Sequence, residues 1–119
     1  MTFQEAITNA RSELGDTYEG SYTYEDADML RYAVEGVREA WGSRPSLKYD
    51  ESTGVLYDNA TVIATSASET FYDIPLPDGI QSGIIYYIIY GCLSRDITDE
   101  NNAKSSVVAK ERFRNIIMG

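Results

Sequence analysis

One stretch of this chain leaves little choice about the fold. From Ile84 to Leu93 the order is Ile-Ile-Tyr-Tyr-Ile-Ile-Tyr-Gly-Cys-Leu, with no charge anywhere in it. Pro75 and Pro77 precede it and Asp78 can cap it, which predicts a helix over about 79–95. On such a helix Ile84, Ile85, Ile88 and Cys92 fall on one side, and Tyr86, Tyr90 and Leu93 fall on the reverse. A helix apolar on both sides is buried on both sides, so this one is the centre of the fold or lies between subunits. The run is also too short to cross a bilayer, which takes roughly 20 apolar residues.

Three amphipathic helices are predicted around it. Thr2 and Glu5 have the spacing of a capping box, and Phe3, Ala6, Ile7, Ala10 and Leu14 then share one face up to Gly15, giving a helix over 3–14. A second helix over 24–41 has Thr23 as its cap and Glu25 and Asp26 in its first turn. Its apolar stripe is Ala27, Leu30, Val34, Val37 and Trp41, and Asp28, Arg31, Glu35, Arg38 and Glu39 form a solvated charged side. Gly42 and Arg44-Pro45 stop it. The last helix, 99–118, turns Ala109, Phe113, Ile116 and Ile117 inward and leaves Val107 and Val108 on the other side, as harmless strays or as contact points.

Between the second and third helices the periodicity changes. Val55–Tyr57, Ala60–Thr65 and Thr70–Ile74 are β-favouring runs separated by turn residues, within an extended region over about 47–74. Such short strands cannot stand alone and must lean on the helices or on a neighbour. The fold class is therefore mainly α: a small bundle of about four helices with an inserted β-hairpin region between helices 2 and 3. A chain of 119 residues suits a single domain, 1–119.

Charge and side-chain inventory narrow the chemistry. A net charge of −9 repels nucleic acid, and the nearest thing to a basic cluster is Lys104, Lys110, Arg112 and Arg114, so recognition through a basic groove is not expected. With no histidine and one cysteine, zinc sites, haem ligation and His-dependent triads are excluded. Cys92 reads as a small buried core residue. Asp96, Asp99, Glu100 and Asn101 lack the spacing of a calcium loop, and Asp50-Glu51-Ser52-Thr53-Gly54 is a turn with too few ligands, so capping and solvation account for both. No phosphate-binding loop or nucleophile elbow is present in the sequence, so neither an enzyme nor a cofactor is expected. Met1 to Arg11 lacks the features of a signal peptide, which points to a reducing cytoplasm or a particle assembled there.

Ten tyrosines are the oddest feature. Tyr18, Tyr22 and Tyr24 crowd the first loop, and Tyr49, Tyr57 and Tyr72 mark the extended region. An apolar body with a polar tip suits partly wet contacts, so Tyr22, Tyr49, Tyr57 and Tyr72, with Val107 and Val108, are candidate subunit contacts; packing at the rim of a small core is the other reading.

The order of these pieces resembles the head-to-tail adaptor (connector, or head-completion) proteins of tailed bacteriophages. The first helix ends in Glu13-Leu14-Gly15-Asp16 and leads to Tyr22-Thr23-Tyr24-Glu25-Asp26. The second carries Leu30, Val34, Val37-Arg38-Glu39 and Trp41 before Arg44-Pro45; the extended segment ends in Ile74-Pro75-Leu76-Pro77; and Arg95-Asp96-Ile97-Thr98-Asp99 joins the closing helices. The likeness covers nearly the whole chain, though each motif alone is common. It implies a structural virion protein without catalysis: a ring, a dodecamer, docked under the portal protein at the neck. That ring would extend the DNA channel, pass genomic DNA without reading its sequence, and seat a tail or stopper protein. It further implies assembly in the host cytoplasm and no membrane contact. Many members of that family carry a C-terminal extension that slots into the portal, whereas this sequence stops at Met118-Gly119. Portal contact then falls to Arg112, Arg114, Ile117 and Met118, or to a tail that orders only in the virion. The alternative is a stand-alone helical protein-interaction or regulatory module.

Overall fold

The computed structural model describes residues 1–17, 20, 22–50, 55–56, 70–95 and 100–119. Among them the fold is carried by four helices: α1 (Phe3–Leu14), α2 (Asp26–Ser43), α3 (Ser82–Ser94) and α4 (Glu100–Met118). At the start of α1 the Thr2 hydroxyl accepts from the Glu5 amide and the Glu5 carboxylate accepts from the Thr2 amide, both at 3.1 Å. At its end Gly15 adopts φ 71°, a left-handed conformation that costs a residue with a Cβ about 1–2 kcal/mol.

The start of α2 departs from expectation. Thr23 does not cap it, because the Thr23 and Tyr24 amides donate to the two carboxylate oxygens of Asp16 at 2.8 and 3.1 Å and are held in the loop. The helix begins two residues later and runs on through Gly42 to Ser43. Asp78 is likewise not a helix cap: Asp78–Ile80 forms a short 3-10 turn, and α3 starts at Ser82. Gln81 organises this entry, its buried amide donating to the Ile74 and Leu76 carbonyls at 3.2 and 3.0 Å while its oxygen accepts from the N-terminal ammonium at 2.8 Å.

The expected extended region is reshaped where it is described. Pro45–Lys48 is a 3-10 turn that buries Leu47, so extended backbone begins at Tyr49. Two-residue strands β1 (Tyr49–Asp50) and β2 (Val55–Leu56) pair antiparallel, Tyr49 opposite Leu56. The expected run Ala60–Thr65 lies outside the described residues, and the β-hairpin insertion as a whole is not shown. The expected strand Thr70–Ile74 does not form: the segment bends at Tyr72 and meets the N-terminus through a single bridge, Thr2 opposite Asp73, with the Gln4 and Phe3 amides donating to the Thr70 and Tyr72 carbonyls at 2.9 and 3.0 Å and the Ile74 amide to Met1 O at 2.9 Å.

The core gathers on α3, which packs against α1, α2 and α4. Ile84, Ile88 and Cys92 are fully buried there among Phe3, Ile7, Met29, Val37 and Phe113. The reverse side of α3 is only half covered, with Tyr86, Tyr90 and Leu93 partly exposed at the edge of the core. Close approach of α2 and α3 comes from two glycines. A Cβ on Gly36 would stand 2.9 Å from Tyr87 Cγ, and one on Gly91 would stand 2.5 Å from Tyr32 Cγ, so each tyrosine ring lies where the opposite helix has no side chain. No described helix is long and apolar enough to cross a membrane.

Gly91→Ala should therefore destabilise the fold by about 1–3 kcal/mol through overpacking. Gly42→Ala, which meets nothing within 4 Å, should instead be neutral or stabilising by up to about 1 kcal/mol. Urea denaturation of the two variants beside the parent chain measures both; equal midpoints for the two would contradict the interlock.

Candidate functional site

An open groove of about 460 Å³ lies where the end of α1 meets the flanks of α3 and α4. Residues three or four apart on a helix share a face, so α3 presents Tyr86, Ile89 and Leu93 to it while α4 presents Lys104, Ser105, Val108, Ala109 and Arg112. Glu13 and Leu14 close it from α1. The floor is apolar, and Val108 is 47% exposed, so the described residues leave this surface open. Lys104 and Arg112 put positive charge on the rim of a strongly acidic chain. The Lys104 ammonium is 3.3 Å from Glu100 one turn earlier, and the Arg112 guanidinium stands 5.6 Å from the Tyr86 ring centroid.

Two polar clusters hold the walls in place. Arg11, 5% exposed, donates to Asp16 at 2.8 Å and to Asp26 at 2.5 Å, and its guanidinium lies 3.7 Å from the Tyr22 ring centroid. Asp16 is buried as well, so this ion pair fastens the end of α1 and the following loop to the start of α2. The second cluster joins α2 to α4. The Lys110 ammonium meets both carboxylate oxygens of Glu39 at 2.7 Å and sits 4.6 Å from the Tyr87 and Tyr90 ring centroids. Burial pushes the Glu39 carboxyl up, but hydrogen bonds from Lys110 and Tyr87 outweigh it and hold the group below its ordinary value. Burial, reinforced by the Glu39 charge, pushes the Tyr87 hydroxyl well above the usual phenol range. Glu39 was expected on a solvated face; α4 covers it instead. Nothing local in the sequence marks Arg11 as buried, since its two acidic partners follow at Asp16 and Asp26 across a loop.

The residues singled out from sequence scatter over the surface. Val107, Val108 and Met118 are exposed at 58, 47 and 58%. Val108 alone of these lines the groove, together with Arg112. Arg114 is exposed on the last turns of α4. Ile117 is 1% exposed and cannot offer its side chain to a portal: it faces the core, and its carbonyl accepts from the Arg44 guanidinium at 2.6 Å, tying the end of α4 to the end of α2. Tyr22 and Tyr49 are exposed at 38 and 48%, Tyr22 held by Arg11. Tyr72 is half-buried against the core with its ring 4.5 Å from that of Phe71, and Tyr57 lies outside the described residues. Phe71, 67% exposed, escaped the sequence reading. Asp96 and Asp99 also lie outside the described residues. Among those described, no group of three or more His, Cys, Asp or Glu side chains is placed to hold a metal ion.

Removing the guanidinium with Arg11→Met leaves Asp16 buried without its counter-charge and should cost about 3–5 kcal/mol, read as a lowered unfolding midpoint. Glu39 gives a pH signature. Its folded-state pKa lies below the unfolded value, so its contribution is present above about 4.5 and is lost as pH falls through the depressed folded value. Thermal melts from pH 7 down to 3 should show a Glu39→Gln chain losing less stability on acidification than the parent; parallel acid limbs would show that the Lys110 pair contributes nothing. No family model matches the chain, and no curated protein or solved structure does.

Proposed function

We propose that the chain is a structural subunit of the neck of a tailed bacteriophage, forming a ring that joins the portal protein to the tail and extends the DNA channel. The observation that carries the reading is the pairing of two facts: the adaptor-like order of motifs from Glu13-Leu14-Gly15-Asp16 to the acidic turn before α4, and a fold that leaves apolar surface uncovered at Phe71, Val107, Val108, Met118 and the groove. The groove, with its apolar lining, is the kind of surface that another protein covers.

The mechanism is mechanical and electrostatic. One head-to-tail contact repeats until the rotation closes into a ring, a dodecamer on the family resemblance. The proposed ring has an acidic lumen, in keeping with a net charge of −9, that repels the phosphate backbone and lets DNA pass without sticking. Arg114 and Met118, exposed near the end of α4, are the proposed portal contact, with Arg112 one turn earlier on the rim of the groove. The β-hairpin insertion between α2 and α3 belongs to the same proposal, leaning on the neighbouring subunit and continuing the β1–β2 pairing. The subunit works without catalysis or cofactor, and its place is the virion neck, assembled in the host cytoplasm. The second reading is a stand-alone module whose groove receives a single protein partner; it is favoured by the apolar lining of that cleft.

Mixing the chain with portal rings and weighing the products by native mass spectrometry separates the two. A ring of subunits bound to portal is expected, and Arg114→Glu should weaken that binding roughly tenfold, the effect of placing like charge in a contact. A chain that ignores portal and other neck proteins, or an assembled ring with a mainly basic channel wall, would sink the proposal.

A further inference from the structure

The geometry points to Phe71 as the knob that fills the α1–α3–α4 groove of a second copy of this chain, with Asp73 meeting Arg112 on the groove's rim. This rests on the self-assembling part of the proposed function and names the contact that would propagate it.

Phe71 is the most exposed large apolar side chain among the described residues, at 67%. Its backbone is not a loose tip. Thr70 and Tyr72 on either side accept hydrogen bonds from Gln4 and Phe3, and the ring is steadied against Tyr72. A pre-ordered aromatic loses little conformational freedom on docking, which makes it a strong anchor. Asp73, also exposed, follows two residues on across the bend at Tyr72, near enough along the chain to bring a carboxylate to the neighbourhood of the ring. Hole and knob are therefore matched in kind: an apolar floor of Ile89, Leu93 and Val108 beside Arg112, against an aromatic ring beside a carboxylate.

Charge selects the occupant. Two copies each carrying −9 repel at a distance, and an acidic group of one set against a basic group of the other eases that repulsion and orients the contact. A chain cannot fill its own groove this way. Phe71 is fixed beside the first residues of α1, whereas the groove takes Glu13 and Leu14 from the other end, about 18 Å away along a twelve-residue helix. Repeated head-to-tail, this contact leaves a free knob and a free hole after every addition, whereas reciprocal pairing about a two-fold axis would close it at a dimer.

Disulfide trapping tests this on the full chain. Thr70→Cys and Ser105→Cys place thiols beside the knob and in the groove without touching Phe71, Asp73, Val108 or Arg112. Cys92 does not interfere, being buried with its thiol pushed up to about 12. At millimolar protein under mild oxidation, the mixed pair should cross-link faster than Thr70→Cys with Arg31→Cys, an exposed control on α2. Adding Phe71→Ser should slow the reaction roughly tenfold or more. Arg112→Glu should slow it roughly two- to fivefold, with Asp73→Arg in the partner restoring it. Circular dichroism melts confirm that each variant is folded. A chain carrying both cysteines should give a ladder of trimers and longer species. Cross-linking no faster than the control, insensitivity to Phe71→Ser, or a ladder that stops at dimer would overturn the inference. Portal-bound rings without this cross-link would sink the knob contact and spare the neck reading; the cross-link in a chain that ignores portal would do the reverse.

Discussion

The arrangement depends on how near α2 and α3 can come. Tyr32 and Gly36 on one helix face Gly91 and Tyr87 on the other, so each ring occupies the space the opposite glycine leaves. Because the two pairs run in opposite order along the chain, the helices are antiparallel at this point and the contact is reciprocal. The approach also sets the polar chemistry above it. It brings the Tyr87 hydroxyl onto Glu39, Glu39 receives Lys110 from α4, and Arg44 fastens the far end of α4 through the Ile117 carbonyl. The groove is a consequence: with α4 pinned at Lys110 and Ile117, its Lys104–Arg112 face stands beside the half-covered side of α3.

Local rules made much of this legible. The Thr2–Glu5 box, the left-handed Gly15 and the apolar spacing of α1 and α2 are properties of neighbouring residues, and α3 had to be central because its run has no polar side. What the sequence hid are relations between distant residues. Gly36 reads as a poor helix former until Tyr87 is known to lie over it. Thr23 looks like a cap, but Asp16, seven residues back, takes its amide. Thr70–Ile74 has the composition of a strand but gives no sign that its partner is the chain's first residues, and without that pairing Phe71 could not be seen to face solvent. Ile117 was counted both inward and as a contact, and its burial decides for the core.

The distribution of charge connects the fold to assembly. With 10 basic residues against 19 acidic ones, the molecule uses several of its cations internally: Arg11 on Asp16 and Asp26, Lys110 on Glu39, Arg95 on Asp28. The remaining field is negative and acts over roughly 8 Å at physiological ionic strength. It opposes both the approach of DNA and the approach of another copy. Any self-contact must then draw its free energy from short-range burial of apolar surface, with charge setting only orientation. A cleft with an apolar floor and Arg112 on its rim answers both needs at one place, which is why the groove matters more than Val107 or Met118 taken singly. In the proposed neck subunit the same logic separates two tasks: the general acidity of the chain would serve the passage of DNA, and a few positioned residues would overcome that acidity where one copy meets the next.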